Sequence, residues 1–255
     1  MKKFLKIFYL AIIVLFLYLP IGTLMVLSFN SGKSMNAWQG FSTKWYSEMF
    51  RNQEIMEALG NTLTIALWAS VIATVVGVLA CIGLNAMSER RRSFYMGMNN
   101  IPLLNADIVT GISIMMSFLM FGISLSYGTV LFAHITFCMS YVTMVVLGRL
   151  QDFDSSLIEA AQDLGANSLQ TFFKVTLPVI SPGVIAGALF AFTLSIDDFV
   201  ITFFVKGAGD TTLPIYIQSA MRRGTPAVIN ALSVVFLIFT FVLVFISQKL
   251  LEPKK

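Results

Sequence analysis

The sequence predicts an all-α, polytopic membrane protein with six transmembrane helices and one substantial loop on the cytoplasmic side. Three observations carry this. Of the 255 residues, 57% are hydrophobic and only 12% are charged, against roughly 25% charged in soluble domains. The charges are segregated, so long windows carry none. The length suits about six helices of roughly 20 residues each, plus two sizeable loops. This composition excludes an ordinary soluble enzyme, a disordered chain and a nucleic-acid binder; the surrounding partner is membrane lipid. Cys81 and Cys138, the two cysteines, lie in apolar segments and build no disulfide framework.

The charge-free windows place the helices in order. The first runs over 7–29, between Lys6 and Lys33. Its apolar core is longer than that of a signal peptide and no small-x-small site follows, so it reads as a retained helix with a cytoplasmic N-terminus. The second covers 60–87, and Glu89-Arg90-Arg91-Arg92 closes it on the inside. The next window, 108–148, has 41 residues, too many for one crossing. The glycine-flanked, polar stretch from Gly122 to Gly128 divides it, giving helices at 96–121 and 128–148. Two further windows supply helices at 182–204 and 227–249. Six spans put both termini in the cytoplasm. Eleven of the seventeen Lys and Arg residues then fall inside, in keeping with the positive-inside bias. Arg222 and Arg223 are the exception.

Two stretches exceed what a connector needs. The outer one, 30–59, carries Trp38, Phe41, Trp45, Tyr46 and Phe50, which form either an interfacial belt or a docking surface for an external partner. The inner one is 149–182. Asp154 or Ser155 can cap a short helix there, and Leu157, Ala160, Ala161 and Leu164 form one apolar stripe. Gly165 suits the left-handed position that ends such a helix. A second helix follows, with Asn167 or Ser168 as cap and Leu169, Phe172 and Phe173 on one face. Pro178 is expected to stop it, and Ser181-Pro182 to start the next span. Two such helices either lie in the headgroup layer or dock in a groove of a partner protein.

Glu159-Ala160-Ala161, Gly165 six positions after the Glu, and Val175-Thr176-Leu177-Pro178 resemble the EAA loop of ABC-importer permeases. Asn61-Thr62-Leu63 fits the start of that family's permease domain, and the resemblance covers roughly residues 58–250. It implies the ABC type I importer permease fold in a bacterial inner membrane. The expected organisation is a first helix and outer aromatic loop over 1–57, a permease domain over 58–250 containing the coupling loop 149–182, and a cytoplasmic tail over 251–255. Glu159, Ala160, Ala161, Gly165, Leu177 and Pro178 are implied to engage an ATPase dimer, which would hold ATP and magnesium. This chain has no Gly-x-x-x-x-Gly-Lys-Ser/Thr loop and reads as a transporter subunit, not an enzyme.

Asp107, Asp197 and Asp198 lie at membrane depth, where each Asp costs about 2.5–3.5 kcal/mol. No Lys or Arg lies at that depth. The acids therefore point to a cationic substrate, or else to cationic side chains of a partner. On one continuous helix over 182–204, Asp197 and Asp198 would project about 100° apart. One is then expected to face the pathway, and the other to cap a helix or pair with Arg222 or Arg223. The third span holds Asn99, Asn100, Pro102, Asn105 and Asp107; such a segment lines a wet path or is a distorted helix packed in protein.

Ser195 to Phe204, Thr212 to Tyr216, Trp38 to Phe41 and Lys44 to Tyr46 resemble the spermidine/putrescine-importing branch of the family. Ala106 departs from it, since many relatives have Pro there. The branch implies a periplasmic polyamine-binding protein and a second homologous permease as partners; another organic cation or an amino acid is the alternative substrate. A polyamine calls for separated carboxylates with aromatic faces between them. Tyr141, Phe199, Tyr216 and Tyr127 are the candidate rings. His134 reads as a packing residue, and Gly183 with Gly187 as a pair for close helix approach. No metal-ligand spacing or nucleophile–base–acid arrangement is visible, which disfavours a membrane enzyme. The absence of two repeated halves disfavours a proton-coupled carrier.

Overall fold

The computed structural model describes residues 2–33, 37–151, 153–154, 156–224 and 227–251. Ser155, one of two expected caps, and the tail beyond Leu251 lie outside the described residues. In chain order the helices are α1 (Lys2–Ser28), α2 (Lys44–Arg51), α3 (Gln53–Asn85), α4 (Glu89–Asn99), α5 (Ile101–Leu104), α6 (Asp107–Met120), α7 (Tyr127–Gln151), α8 (Ser156–Asp163), α9 (Ser168–Thr171), α10 (Leu177–Asp197), α11 (Val200–Val205), α12 (Leu213–Arg222) and α13 (Ala227–Leu251). Among the described residues, five helical stretches are long and apolar enough to cross a membrane, and α6 is a shorter apolar helix. The all-α class holds.

Three of the departures from the sequence reading have a local reason. The helix expected over 96–121 is three pieces. Pro102 sits in the first turn of α5, where its missing N–H costs nothing, and Asn105 (ψ 151°) and Ala106 (ψ 141°) are extended. The helix expected over 182–204 stops at Asp197; Asp198 is extended (ψ 120°) and α11 resumes at Val200. Finally, α10 begins at Leu177, with Pro178 in its first turn, and continues through Pro182. Pro182 cannot donate to the Pro178 carbonyl, and the Ser181 hydroxyl donates to that carbonyl instead, at 2.8 Å. The expected turn does divide α6 from α7: Gly122 takes φ 68°, and Ile123 N–H closes on Phe118 O at 2.9 Å.

The chain forms two compact units. One contains residues 1–58 and 216–240. In it Asn30 organises the aromatic loop. Its amide donates to Ala37 O, and its Oδ1 accepts from Gln39 N–H at 2.8 Å. Its carbonyl accepts from the indole of Trp45 at 2.6 Å. Phe29 stacks on Phe41 at 5.4 Å. Trp45 and Met49 are buried, whereas Trp38, Phe41 and Phe50 are exposed.

The other unit contains residues 59–215 and 241–255. Its core is built on α7, whose buried residues include Ala133, Cys138, Val142 and Val146. These pack with Ile65, Ala73 and Cys81 of α3, Ile180 and Ala191 of α10, and Ile201 and Val205 of α11. Val142 is met by two glycines: a Cβ on Gly77 would come within 2.9 Å of its Cγ1, and one on Gly187 within 3.6 Å. Small residues permit this close approach, which in lipid replaces the hydrophobic drive between helices. Both cysteines are free and buried; Cys81 donates to Thr143 O and Cys138 to Ala191 O.

Candidate functional site

All three intramembrane acids line one cavity of about 160 Å³, together with Pro102, Thr110, Phe137, Tyr141, Leu194 and Ile201. The helix breaks create it. Gly111 lets α6 approach α11, since a Cβ there would lie 3.3 Å from Ile201 Cα. Asp107, four residues before Gly111, shares its face and opens α6, where the positive helix end favours a carboxylate. Asp197 ends α10, and Asp198 occupies the extended residue after it. Asp197 and Asp198 thus share one cavity because the helix does not continue. Both acids line the cavity, against the expectation that only one would face it, while the expected helix cap is made by Asp198. No Lys or Arg is among the lining residues. Thr110 Oγ1 is buried without a hydrogen-bond partner among the described residues.

The carboxylates differ in their settings. Asp107 and Asp197 are exposed. Asp198 caps α11: its Oδ1 accepts from Ile201 N–H at 3.2 Å, and its Oδ2 accepts from Thr202 N–H and from Thr202 Oγ1, each at 2.8 Å. His134 Nε2 lies 3.4 Å from the same Oδ2. Tyr141 stands in the wall, edge-on to Phe190 at 5.7 Å. Of the other candidate rings, Phe199 packs on Phe203 at 5.6 Å, and neither it nor Tyr127 is in the lining. Tyr216 is buried in the first unit, where burial and the Glu54 charge raise its hydroxyl pKa, opposed by Arg223 and a hydrogen bond with Asn52. Phe137 and Thr110 were not anticipated. Phe137 had a legible signal, since it lies one turn before Tyr141 on the same helix face.

The inner loop folds as two short helices joined at Gly165 (φ 85°). There Gly165 N–H donates to Gln162 O at 2.8 Å and Ala166 N–H to Ala161 O at 3.0 Å, the pairing of a left-handed helix end. Asp154 Oδ1 accepts from Ser156 N–H at 2.9 Å, and this bond holds its carboxyl pKa below the usual value. Asn167 and Gln170 form a reciprocal capping box. A π-helical turn, Phe172–Thr176, leads into α10.

Ile158 and Phe172 face inward, lining a cavity of about 630 Å³ with Ile82, Arg92, Leu150 and Phe153. Leu157, Leu164 (90% exposed), Leu169 (70%) and Phe173 face outward. Phe172 and Phe173 therefore part company, against the expectation of one shared face. Glu159, Ala160, Gly165 and Pro178 are exposed; Ala161 and Leu177 are half-buried.

The family model described as binding-protein-dependent transport system inner membrane component matches residues 74–255. The chain is 39% identical over 239 residues to the spermidine/putrescine transport system permease protein PotC of Escherichia coli (strain K12), covering 94% of this chain and 90% of that protein. It is 42% identical over 229 residues to the putrescine transport system permease protein PotI of the same organism, covering 87% and 82%. A chain from a bacterial ABC transporter involved in import of the acidic polysaccharide alginate superposes with a TM-score of 0.74 at 16% identity, over 98% of this chain and 95% of that one. A chain of the inward-facing MetNI methionine ABC transporter does so at 0.63 and 18%, over 78% and 97%.

Proposed function

Because the chain belongs to the family of binding-protein-dependent transport system inner membrane components, we propose that it is the permease subunit of an ATP-driven importer of polyamines. The observation that carries the substrate class is the clustering of Asp107, Asp197 and Asp198 around one cavity whose lining has no Lys or Arg. A protonated polyamine is a flexible chain of ammonium groups separated by methylenes. Carboxylates balance its charge, and Tyr141 and Phe137 in the same wall offer faces to the ammonium and methylene groups. The names of the relatives PotC and PotI support spermidine and putrescine as the molecules moved.

The chain supplies half of a pathway. A second, homologous permease completes it as a pseudo-twofold pair, and a periplasmic binding protein delivers the substrate. ATP and magnesium are held by an ATPase dimer on the cytoplasmic side. The outward apolar side chains Leu157, Leu164, Leu169 and Phe173 dock against it as a helix face in a groove, with Glu159 and Ala160 beside them and Gly165 setting the angle between the two short helices. The coupling set thus includes Ala161, Leu177 and Pro178 as the supporting base. Both termini lie in the cytoplasm on the balance of basic residues.

The test is uptake of labelled spermidine and putrescine into proteoliposomes holding both permeases, with and without the ATPase. Uptake that needs ATP, and that a non-cationic analogue does not inhibit, is expected. ATP-dependent uptake of a neutral or anionic solute in preference to polyamine refutes the substrate class.

A further inference from the structure

His134 is 1% exposed, an imidazole deep in an apolar helix with both nitrogens bonded. Nδ1 lies 2.6 Å from Ser195 Oγ on α10, and Nε2 lies 2.9 Å from Thr202 Oγ1 on α11. The Thr202 hydroxyl has a single proton. It donates to Asp198 Oδ2 at 2.8 Å, so its lone pairs face the ring and must receive a proton from Nε2. Nδ1 shares its hydrogen bond with the Ser195 hydroxyl. One chain results: Ser195 to Nδ1, Nε2–H to Thr202 Oγ1, and Thr202 O–H to Asp198 Oδ2. Every member has a partner, and buried networks are favourable only when complete. The groups that face the imidazole are Ser195, Thr202, Asp198 and the ring of Phe137 at 5.2 Å. Among them Asp198 is the only charge.

The geometry points to His134 as a positioning residue for the substrate pathway: it orients Thr202, and through it the Asp198 carboxylate. This chain of hydrogen bonds, running from α10 through α7 to α11, fixes the acid on the cavity wall where a cation would meet it. The inference rests on the polyamine-permease reading above.

The test compares His134→Leu with His134→Gln in the complete complex, measuring complex yield and the KM and maximal rate of spermidine uptake in proteoliposomes. Leu fills the space without a donor. It is expected to raise KM roughly tenfold, the effect of a lost charge-assisted contact on binding, while the maximal rate changes less. Gln restores a donor and an acceptor, and is expected to bring KM back to within about threefold of wild type. An assembled His134→Leu complex with wild-type KM overturns the inference, as does a Gln variant no better than Leu. Should His134→Leu fail to assemble, Ser195→Ala keeps the ring but removes the partner that anchors its Nδ1; KM must rise for that variant too, and a wild-type KM overturns the inference. Asp107→Asn and Asp197→Asn lie outside this chain of hydrogen bonds. If they leave KM unchanged, the pathway reading itself fails. If they raise KM and His134→Leu does not, only the positioning role falls.

Discussion

Replacing Gly165 isolates one structural variable in the inner loop 149–182, proposed above to dock the ATPase. Its φ of 85° is left-handed, and a Cβ built there meets nothing within 4 Å. A side chain at this position therefore causes no collision, and its cost is backbone strain alone. For an L-residue that strain is about 1–2 kcal/mol, greater for a β-branched side chain and smaller for Asn, which tolerates this region. The chain can relieve the strain only by giving up the Ala166 to Ala161 and Gly165 to Gln162 bonds that close α8, which changes the angle between α8 and α9. A shift of 1–2 kcal/mol between docking-competent and other loop conformers is about a 5- to 30-fold loss in apparent ATPase affinity. Titrating detergent-solubilised permease complex with the ATPase should give wild type, Asn, Ala and Val in descending order of affinity, with membrane insertion unchanged. Equal affinity for wild type and Gly165→Val would show that the turn at Gly165 does not set the docking geometry.

Charge removal from the cavity should separate transport from assembly. Asp107→Asn and Asp197→Asn are expected to lower uptake efficiency about tenfold, or about 1.4 kcal/mol, at normal complex yield, whereas Ile196→Leu should leave uptake within twofold. Asp198→Asn should also reduce thermal stability of the complex, because the carboxylate caps α11 as well as lining the cavity. Gly77→Ala pushes a methyl to within 2.9 Å of Val142 and should destabilise the helix packing by about 1–3 kcal/mol, read as a lowered melting temperature in detergent. The Asp154 cap depends on the ionised carboxylate, whose pKa is lowered in the fold. Its contribution is fully present above the usual carboxylate value and is lost as pH falls through the lowered value of the folded state, so backbone hydrogen exchange at Ser156 should be insensitive to Asp154→Ala only at strongly acidic pH.

What the sequence made legible was whatever a one-dimensional charge pattern can express. Long uncharged windows gave α1, α3, α7, α10 and α13, since exclusion of charge is the property that lipid selects. The start of α3 at Gln53 was hidden because Glu54 and Glu57 end an apolar window without ending a helix. The break after Asp197 was hidden for the opposite reason. Apolar residues continue on both sides, and the only local clue is an acid placed to accept from the N–H groups three and four residues on. The three acids could be named as pathway residues from their cost in the membrane, but their shared cavity depended on two helix breaks and on Gly111. His134 looked like packing because its partners lie 61 and 68 residues away. The EAA pattern drew attention to Glu159 through Gly165, whereas Phe172 and Phe173 are successive residues, which project about 100° apart on a helix, so one is half-buried and the other exposed.

The uninterrupted run of α10 through Pro182 has a mechanical consequence. Its 21 residues make a rod about 31 Å long with Pro178 of the inner loop at one tip and Asp197 of the acidic cavity at the other. Displacement of such a rod scales with distance from the fulcrum, so a tilt of about 10° around the inner tip carries the Asp197 end through about 5 Å. That is more than the width of an ammonium group. The π-helical turn Phe172–Thr176 lies at its base, and the Ser181 hydroxyl takes up the Pro178 carbonyl that Pro182 cannot bond. Leverage of this kind transmits a force through geometry alone, with no relay of rearranged side chains between the two tips.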